Sequence, residues 1–83
     1  MDAVVYGTRN CQWCENVVRS LKRHTTNITK IDVSERENFE QMKKDAGEDA
    51  RTVPQVLIDG KYIGGYTEVE RFLNALPPEK LPS

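Results

Sequence analysis

The order in which strand-like and helix-like patterns follow one another constrains the fold of this chain more than any other feature. A short apolar run, Ala3-Val4-Val5-Tyr6, precedes residues with helical spacing, of which Val17, Val18 and Leu21 share one face. A second strand-like segment then covers residues 28–33. Two strands that are joined through a helix run parallel, with a right-handed crossover. This part of the chain therefore predicts a β-α-β unit and an α/β fold.

Two further helical stripes and one hairpin complete the predicted order. The dipeptide Asp59-Gly60 is typical of a two-residue hairpin turn, and it joins a strand predicted over residues 54–58 to one over residues 61–63. The second helix ends at Gly47, and Pro77-Pro78 stops the third. Each of these helices follows a candidate capping box; the boxes are Ser34 with Glu37 and Thr67 with Glu70. The chain is therefore predicted to form a mixed four-stranded sheet with three helices, in the order β-α-β-α-β-β-α.

Composition limits the chain to one small domain. It has 83 residues with 12 basic and 13 acidic side chains, for a net charge of −1, and such a length supports a single core. We expect one domain over residues 1–83, with a loose tail over residues 77–83. The balanced charge is unlike that of a nucleic-acid binder, and no apolar run reaches the ~18 residues of a membrane span. The N-terminus lacks the pattern of an export signal, so a cytoplasmic protein is predicted, and a small charged surface favours a monomer.

The two cysteines, Cys11 and Cys14, are the chemically informative residues. A disulfide between them closes a loop of about four residues, so it would staple the fold only weakly. In a chain without an export signal, such spacing indicates metal binding or redox chemistry. Structural zinc takes four ligands, and the only histidine, His24, is predicted at the far end of the following helix. The pair is therefore interpreted as a redox dithiol, with no metal site.

The position of Cys11 gives the two sulfurs different roles. Cys11 is predicted at the start of the first helix, where free backbone N–H groups and the positive end of the helix dipole stabilise an anion. Its pKa should therefore fall below the ~8.5 of a free thiol, which makes Cys11 the nucleophile. Cys14 lies one turn later on the same face. It should act as the resolving thiol, which attacks a mixed disulfide on Cys11.

Several motifs make this chain similar to a known family. In order, they are Val5-Tyr6, Cys11-Gln12-Trp13-Cys14, Arg51-Thr52-Val53-Pro54-Gln55 and Ile63-Gly64-Gly65-Tyr66-Thr67. On these motifs, residues 3–76 resemble a dithiol glutaredoxin of the thioredoxin-like superfamily. The short length and the Val-Tyr-Gly start are similar to the small phage-type glutaredoxins that supply ribonucleotide reductase. The resemblance implies a thioredoxin-like fold.

The resemblance also implies an activity. It predicts a glutathione-dependent thiol–disulfide oxidoreductase that reduces protein disulfides and mixed disulfides with glutathione, and for which ribonucleotide reductase is a candidate client. Glutathione is the implied reductant, and no tightly bound cofactor is implied. Two alternatives stay open. One is a thioredoxin-like hydrogen donor that thioredoxin reductase reduces, and the other is a dimer that bridges an iron–sulfur cluster through Cys11 and glutathione.

A glutathione site follows from the resemblance, residue by residue. Pro54 should be a cis-proline facing the cysteines, and the backbone of Val53 should pair with the cysteinyl unit of glutathione. Trp13 would flank the thiolate, and Arg9 and Arg51 are candidates for the glycyl carboxylate. The implied contacts are Arg9, Trp13, Arg51, Thr52, Val53, Pro54, Gly65, Tyr66 and Thr67, of which the last three hold the γ-glutamyl end, with Tyr6 lining the same groove.

The chain departs from the family pattern in three places. Gln12-Trp13 stands between the cysteines where the family usually has Pro-Tyr, so the reduction potential does not carry over. Thr8 stands where a basic residue is common, with Arg9 one position later. Thr67 stands where an Asp often binds the amino group of glutathione, and a threonine supplies no charge.

Overall fold

The computed structural model describes residues 1–76 and contains the seven predicted elements in the predicted order. The strands are β1 (Asp2–Gly7), β2 (Asn27–Asp32), β3 (Gln55–Ile58) and β4 (Lys61–Gly64), and the helices are α1 (Gln12–Leu21), α2 (Arg36–Ala46) and α3 (Tyr66–Asn74). The predicted thioredoxin-like arrangement of a mixed sheet with three helices is confirmed. The predicted loose tail over residues 77–83 lies outside the described residues.

The sheet has the strand order β2-β1-β3-β4, with β1 and β2 parallel and β3 antiparallel to β1 and to β4. Tyr6 pairs with Gln55 across β1 and β3, and Val56 pairs with Gly64 across β3 and β4. These pairings bring the end of β1, the start of β3 and the end of β4 to the same end of the sheet. The helices that follow β1 and β4 therefore start close to the segment that leads into β3.

Helices α1 and α3 cover one face of the sheet and enclose the main core. This core consists of Ala3, Val5, Val17, Val18, Leu21, Val56, Ile58, Val69 and Leu73. The helical stripe predicted in α1 is thus buried, as its periodicity indicated. Ser20 of α1 donates a hydrogen bond to the carboxylate of Glu70 in α3, which joins the two helices. Among residues 1–76, no helix is long and apolar enough to cross a membrane.

Helix α2 packs on the opposite face, where it contacts Tyr6 of β1. Tyr6 is 2% exposed, and its hydroxyl donates a 2.5 Å hydrogen bond to Oδ2 of Asp45. Burial and, to a smaller extent, the Asp45 carboxylate raise the pKa of Tyr6 to about 12. The prediction that Tyr6 lines the ligand groove is wrong, because its side chain is buried and its hydroxyl is bound to α2.

The start of α2 differs from the predicted capping box of Ser34 and Glu37. The helix begins at Arg36 with Glu35 at the N-cap position, and no side chain caps it. Ser34 instead donates its backbone N–H and its hydroxyl to the carboxylate of Asp32, at 2.9 and 2.7 Å. These two hydrogen bonds are the main cause of the lowered pKa of Asp32. Because the Ser34 hydroxyl is bound to Asp32 in a local turn, it does not cap α2.

The other two helices also have shifted ends. α3 begins at Tyr66 with Gly65 at the N-cap position, so Thr67 lies in the first turn instead of capping it. Its predicted partner, Glu70, is bound to α1. α1 ends at Leu21, before His24, and three turn residues follow.

Candidate active site

The two sulfurs lie at the start of α1, in the segment that follows β1. Cys11 is the N-cap residue of α1, and it forms a disulfide with Cys14 in the first turn. The backbone N–H of Cys14 donates a 3.1 Å hydrogen bond to the Cys11 sulfur. An N-cap side chain usually accepts such a bond through oxygen; here a sulfur takes that place. The Cys11 sulfur therefore lies where helix N–H groups stabilise negative charge.

The two cysteines differ in exposure, and Gly7 makes room for the inner one. Cys14 is 4% exposed, whereas Cys11 is half-buried. A Cβ atom added at Gly7 would lie 2.8 Å from the Cys14 sulfur, which is closer than real side chains approach. The last residue of β1 thus leaves the space that the inner sulfur fills. Of the two sulfurs, that of Cys11 is the more accessible to a large substrate.

A loop from a distant part of the chain faces Cys11. The peptide bond between Val53 and Pro54 is cis, and the carbonyl oxygen of Val53 lies 3.9 Å from the Cys11 sulfur. Pro54 is buried, and β3 begins at the next residue. The segment 52–54, called here the cis-proline loop, therefore presents backbone atoms to the exposed side of the disulfide.

A groove of about 630 Å³ runs from the cis-proline loop to the start of α3. Strand β4 and the first turn of α3 form its walls, and α1 contributes Trp13. Most of the predicted ligand contacts line this groove, namely Trp13, Thr52, Val53, Pro54, Gly65, Tyr66 and Thr67. These residues come from three separate segments, so the strand pairing brings them together.

Trp13 and Tyr66 form an aromatic side of the groove. Trp13 is 58% exposed although it is apolar. Its ring centroid lies 5.1 Å from that of Tyr66, with 50° between the ring planes. Tilted contacts of this kind are favourable between aromatic rings. The pair therefore offers an apolar surface, two residues from Cys11, that a ligand can cover.

Glu68 lies in the groove although it was not among the predicted contacts. Its carboxylate accepts a 2.9 Å hydrogen bond from the backbone N–H of Gly65. The side chain folds over Gly64, which has a φ of +133° and where an added Cβ would lie 2.8 Å from Glu68 carbons. Glycine is thus required at this position by the backbone and by the close approach of Glu68. Capping-box spacing counted from Gly65, instead of Thr67, would have identified Glu68.

Gln55 and Tyr62 are two further groove residues that the sequence patterns did not indicate. Gln55 is 7% exposed and is the buried polar side chain of β3. Tyr62 of β4 is 41% exposed, and its hydroxyl donates a 2.6 Å hydrogen bond to Gln55. The sequence offered one sign of Gln55, because it is a polar residue at the start of an otherwise apolar strand, directly after Pro54.

Arg9 and Arg51 lie outside the residues that line the groove. Arg9 lines a separate cavity of about 310 Å³ beside Cys14, together with Lys30 and Asp32. Arg51 is exposed at the start of the segment that leads into the cis-proline loop. Contact of either arginine with a glycyl carboxylate stays a prediction. Within residues 1–76, no group of three or more His, Cys, Asp or Glu side chains could hold a metal ion.

Comparison with known proteins points to one family. The sequence profile of the glutaredoxin family matches residues 3–63. A glutaredoxin of Haemophilus influenzae is 32% identical over 79 residues, which cover 88% of this chain and 91% of that relative. The structure of reduced Escherichia coli glutaredoxin has a TM-score of 0.68 at 28% identity, covering 89% of this chain and 94% of that one. A dithiol glutaredoxin of Trypanosoma brucei brucei has a TM-score of 0.71 at 27% identity, covering 88% and 77%.

Proposed function

This chain belongs to the glutaredoxin family of thiol–disulfide oxidoreductases, and on that premise we propose that it uses glutathione to reduce protein disulfides and protein–glutathione mixed disulfides. The observation that carries the proposal is the position of Cys11. Its sulfur accepts the N–H of Cys14 at the start of α1 and faces the carbonyl of Val53 beside the groove. Family membership supplies the class of reaction. The groove beside Cys11 favours a small peptide as the ligand that brings a sulfur to this residue.

In the proposed reaction with a mixed disulfide, reduced Cys11 reacts first. Its thiolate attacks the glutathione sulfur of the mixed disulfide, a Cys11–glutathione bond forms, and the client sulfur leaves as a thiolate. A second glutathione thiolate then attacks the glutathione sulfur bound to Cys11. This step releases oxidised glutathione and restores the Cys11 thiolate. The client thiol is thus regenerated, and glutathione is oxidised.

Cys14 provides a second route, for disulfides within proteins. After Cys11 has attacked such a disulfide, the Cys14 thiolate attacks the Cys11 sulfur. The client leaves as a dithiol, and the Cys11–Cys14 disulfide is formed. Two glutathione molecules then reduce this disulfide through a Cys11–glutathione intermediate. Because Cys14 is buried, it suits attack on a sulfur already held by Cys11 better than attack on a bulky client.

The groove offers complementary groups along the length of glutathione. The backbone N–H and C=O of Val53 can pair with the cysteinyl unit in the manner of an added strand. At the other end, N–H groups in the first turn of α3 can bind the γ-glutamyl carboxylate. The Glu68 carboxylate supplies the negative charge that Thr67 lacks for the ammonium group. Trp13 and Tyr66 can cover the apolar part of the ligand.

The remaining parts of the proposal rest on the sequence and its resemblance. Similarity to the small phage-type glutaredoxins supports ribonucleotide reductase as one client disulfide. We also propose that the protein is a cytoplasmic monomer and that it uses glutathione without a tightly bound cofactor. The two alternatives to be tested against this proposal are the thioredoxin-like donor and the iron–sulfur dimer.

Coupled assays separate the proposal from these alternatives. NADPH oxidation is followed with a glutathionylated peptide and a protein disulfide, either with glutathione and glutathione reductase or with thioredoxin reductase alone. We expect turnover with glutathione; turnover with thioredoxin reductase alone would instead support the thioredoxin-like donor. Protein purified without oxygen should be colourless and monomeric on gel filtration. A coloured dimer that releases iron and sulfide would support the cluster-binding alternative.

Substitution of each cysteine tests the assigned roles. Cys11→Ser should abolish both reactions, because the attacking sulfur is lost. Cys14→Ser should retain turnover of the glutathionylated peptide and lose reduction of the protein disulfide. Each variant is the control for the other, since both remove one sulfur from the same turn of α1. Turnover by Cys11→Ser would refute the assignment.

A further inference from the structure

A chain of side-chain hydrogen bonds runs behind the cis-proline loop. The hydroxyl of Tyr62 donates a 2.6 Å bond to Oε1 of Gln55. The Nε2 group of Gln55 in turn donates to the carbonyl oxygen of Thr52 at 3.0 Å and to its Oγ1 at 3.2 Å. Gln55 is 7% exposed, so an amide without partners here would carry a desolvation cost. Both polar atoms of the amide have partners, and Tyr62 is thereby tied to Thr52.

The register of the β3–β4 hairpin brings Tyr62 to Gln55. Tyr62 pairs with Leu57, which lies two residues from Gln55 along β3. Both side chains therefore lie on the same face of the sheet. The pairing shifts between Val56 and Leu57, as in a β-bulge. Diagonal neighbours on one face are within reach of a long aromatic side chain, so the tyrosine hydroxyl meets the amide.

The carbonyl of Thr52 belongs to the same peptide group as the N–H of Val53. This group is trans, since the cis bond lies one residue later, between Val53 and Pro54. In a planar trans peptide, the C=O and N–H bonds point in opposite directions. By holding the Thr52 oxygen, Gln55 therefore fixes the direction of the Val53 N–H. A hydrogen bond to the carbonyl also polarises the peptide group, which makes its N–H a stronger donor.

We propose that Gln55 and Tyr62 are positioning residues that aim the N–H of Val53 at the disulfide substrate in the groove. The inference rests on the proposed function, in which this N–H binds the cysteinyl unit of glutathione. The Cys11 sulfur accepts its own hydrogen bond from Cys14, within α1. Loss of Gln55 or of the Tyr62 hydroxyl should therefore weaken substrate binding and leave the reactivity of the sulfur unchanged.

Two substitutions test the pair. Tyr62→Phe removes only the hydroxyl, and Gln55→Met replaces the amide by an apolar chain of similar length. Each should raise KM for a glutathionylated peptide by about threefold to tenfold, the range expected for one lost hydrogen bond, and change kcat by about twofold at most. The double variant should raise KM no further than Gln55→Met alone, because Tyr62 acts through Gln55. Reduced Cys11 should react with iodoacetamide, which is too small to need the groove, at the wild-type rate.

Tyr6→Phe is the matched control. It also removes a tyrosine hydroxyl that donates to a side chain, but its acceptor is Asp45 in α2, away from the groove. This variant should be less stable and keep the wild-type KM. A readout without substrate is the NMR chemical shift of the Val53 amide proton, which responds to the hydrogen bond on the carbonyl of its own peptide group. This shift should change in Tyr62→Phe and Gln55→Met and should keep its wild-type value in Tyr6→Phe.

Two results would overturn the inference. The first is an unchanged KM together with an unchanged chemical shift of the Val53 amide proton in both Tyr62→Phe and Gln55→Met. The second is a parallel loss in kcat and in the iodoacetamide rate, because it indicates a general disturbance of the fold. If the wild-type protein turns over no glutathionylated peptide, the proposed function fails. The chemical shift of the Val53 amide proton then still decides whether Gln55 and Tyr62 hold the cis-proline loop.

Discussion

The hydrogen bond from Tyr6 to Asp45 joins the sheet to α2, and its loss should lower stability by a measurable amount. Tyr6→Phe leaves the buried ring in place and removes one 2.5 Å donor to a carboxylate. Hydrogen bonds to charged groups contribute about 1.5–3 kcal/mol. Asp45 is half-buried and also accepts from Gln41 at 3.2 Å, so its carboxylate keeps a partner. We therefore expect the lower end of that range, a loss of about 1.5 kcal/mol in the free energy of unfolding.

Thermal and urea unfolding of the reduced protein measure this loss. In a domain of this size, 1 kcal/mol corresponds to about 4–8 °C, so Tm should fall by roughly 6–12 °C. A double-mutant cycle of Tyr6→Phe with Asp45→Ala measures the coupling energy between the two residues. This coupling energy should account for most of the loss in the free energy of unfolding. A free energy of unfolding within about 0.5 kcal/mol of wild type would refute the argument that this bond ties α2 to the sheet.

The same bond predicts a loss of stability at alkaline pH. The pKa of Tyr6 is raised from 10.0 to about 12, mainly by burial and then by Asp45. The folded protein therefore holds the Tyr6 proton more tightly than the unfolded chain does. The resulting stability is complete below pH 10 and is lost as the pH rises towards 12. The stability difference between wild type and Tyr6→Phe should shrink across this window, and a constant difference would contradict the argument.

Two further substitutions examine the groove itself. Glu68→Gln keeps an acceptor for the Gly65 N–H but removes a charge, so KM for a glutathionylated peptide should rise about threefold to tenfold. The rise in KM should be smaller at high salt, which screens the charge. An unchanged KM would exclude Glu68 as the partner of the ammonium group. Trp13→Ala removes the ring that packs on Tyr66, so it should raise the same KM about fivefold and leave the iodoacetamide rate unchanged. Trp13→Phe should keep most of the binding, because it retains an aromatic contact with Tyr66.

The order of the elements could be predicted because each element carries its own local pattern. Val17, Val18 and Leu21 recur at helical spacing, and all three are buried on the face of α1 that meets the sheet. The hairpin turn is equally local. Asp59 and Gly60 have φ angles of +51° and +80°, and few residue types other than glycine, asparagine and aspartate adopt such angles readily. These preferences act within a few residues, so a single sequence reveals them.

The helix starts were harder to predict, because a capping side chain has competing partners. Ser34 has the residue type and spacing of an N-cap, but it binds Asp32 in a turn, and α2 starts without a side-chain cap. At α3, Gly65 is the N-cap and Glu68 binds its N–H. The spacing rule was sound there, but it was applied from the wrong residue.

The missed groove residues depend on contacts between separate segments. Gln55 reaches Thr52 within its own segment, but its other partner, Tyr62, comes from β4 across an irregular pairing. No local pattern contains the position of that irregularity. A buried glutamine in a short strand is nevertheless a sign that a partner exists, because buried amides are rarely left without hydrogen bonds.

The directions of the strands bring two helix starts to one end of the sheet, and this arrangement predicts how reactive Cys11 is. β1 and β4 end together, so α1 and α3 both begin beside the cis-proline loop with the positive ends of their dipoles near the groove. The Cys11 sulfur also accepts the N–H of Cys14. In the reduced protein, Cys11 should therefore be largely a thiolate near neutral pH and should react with iodoacetamide at pH 7 faster than free glutathione does. Cys14→Ser isolates the rate of Cys11. A rate that rises with the ionisation of an ordinary thiol, near pH ~8.5, would refute this account, because the helix start would then not be stabilising the sulfur anion.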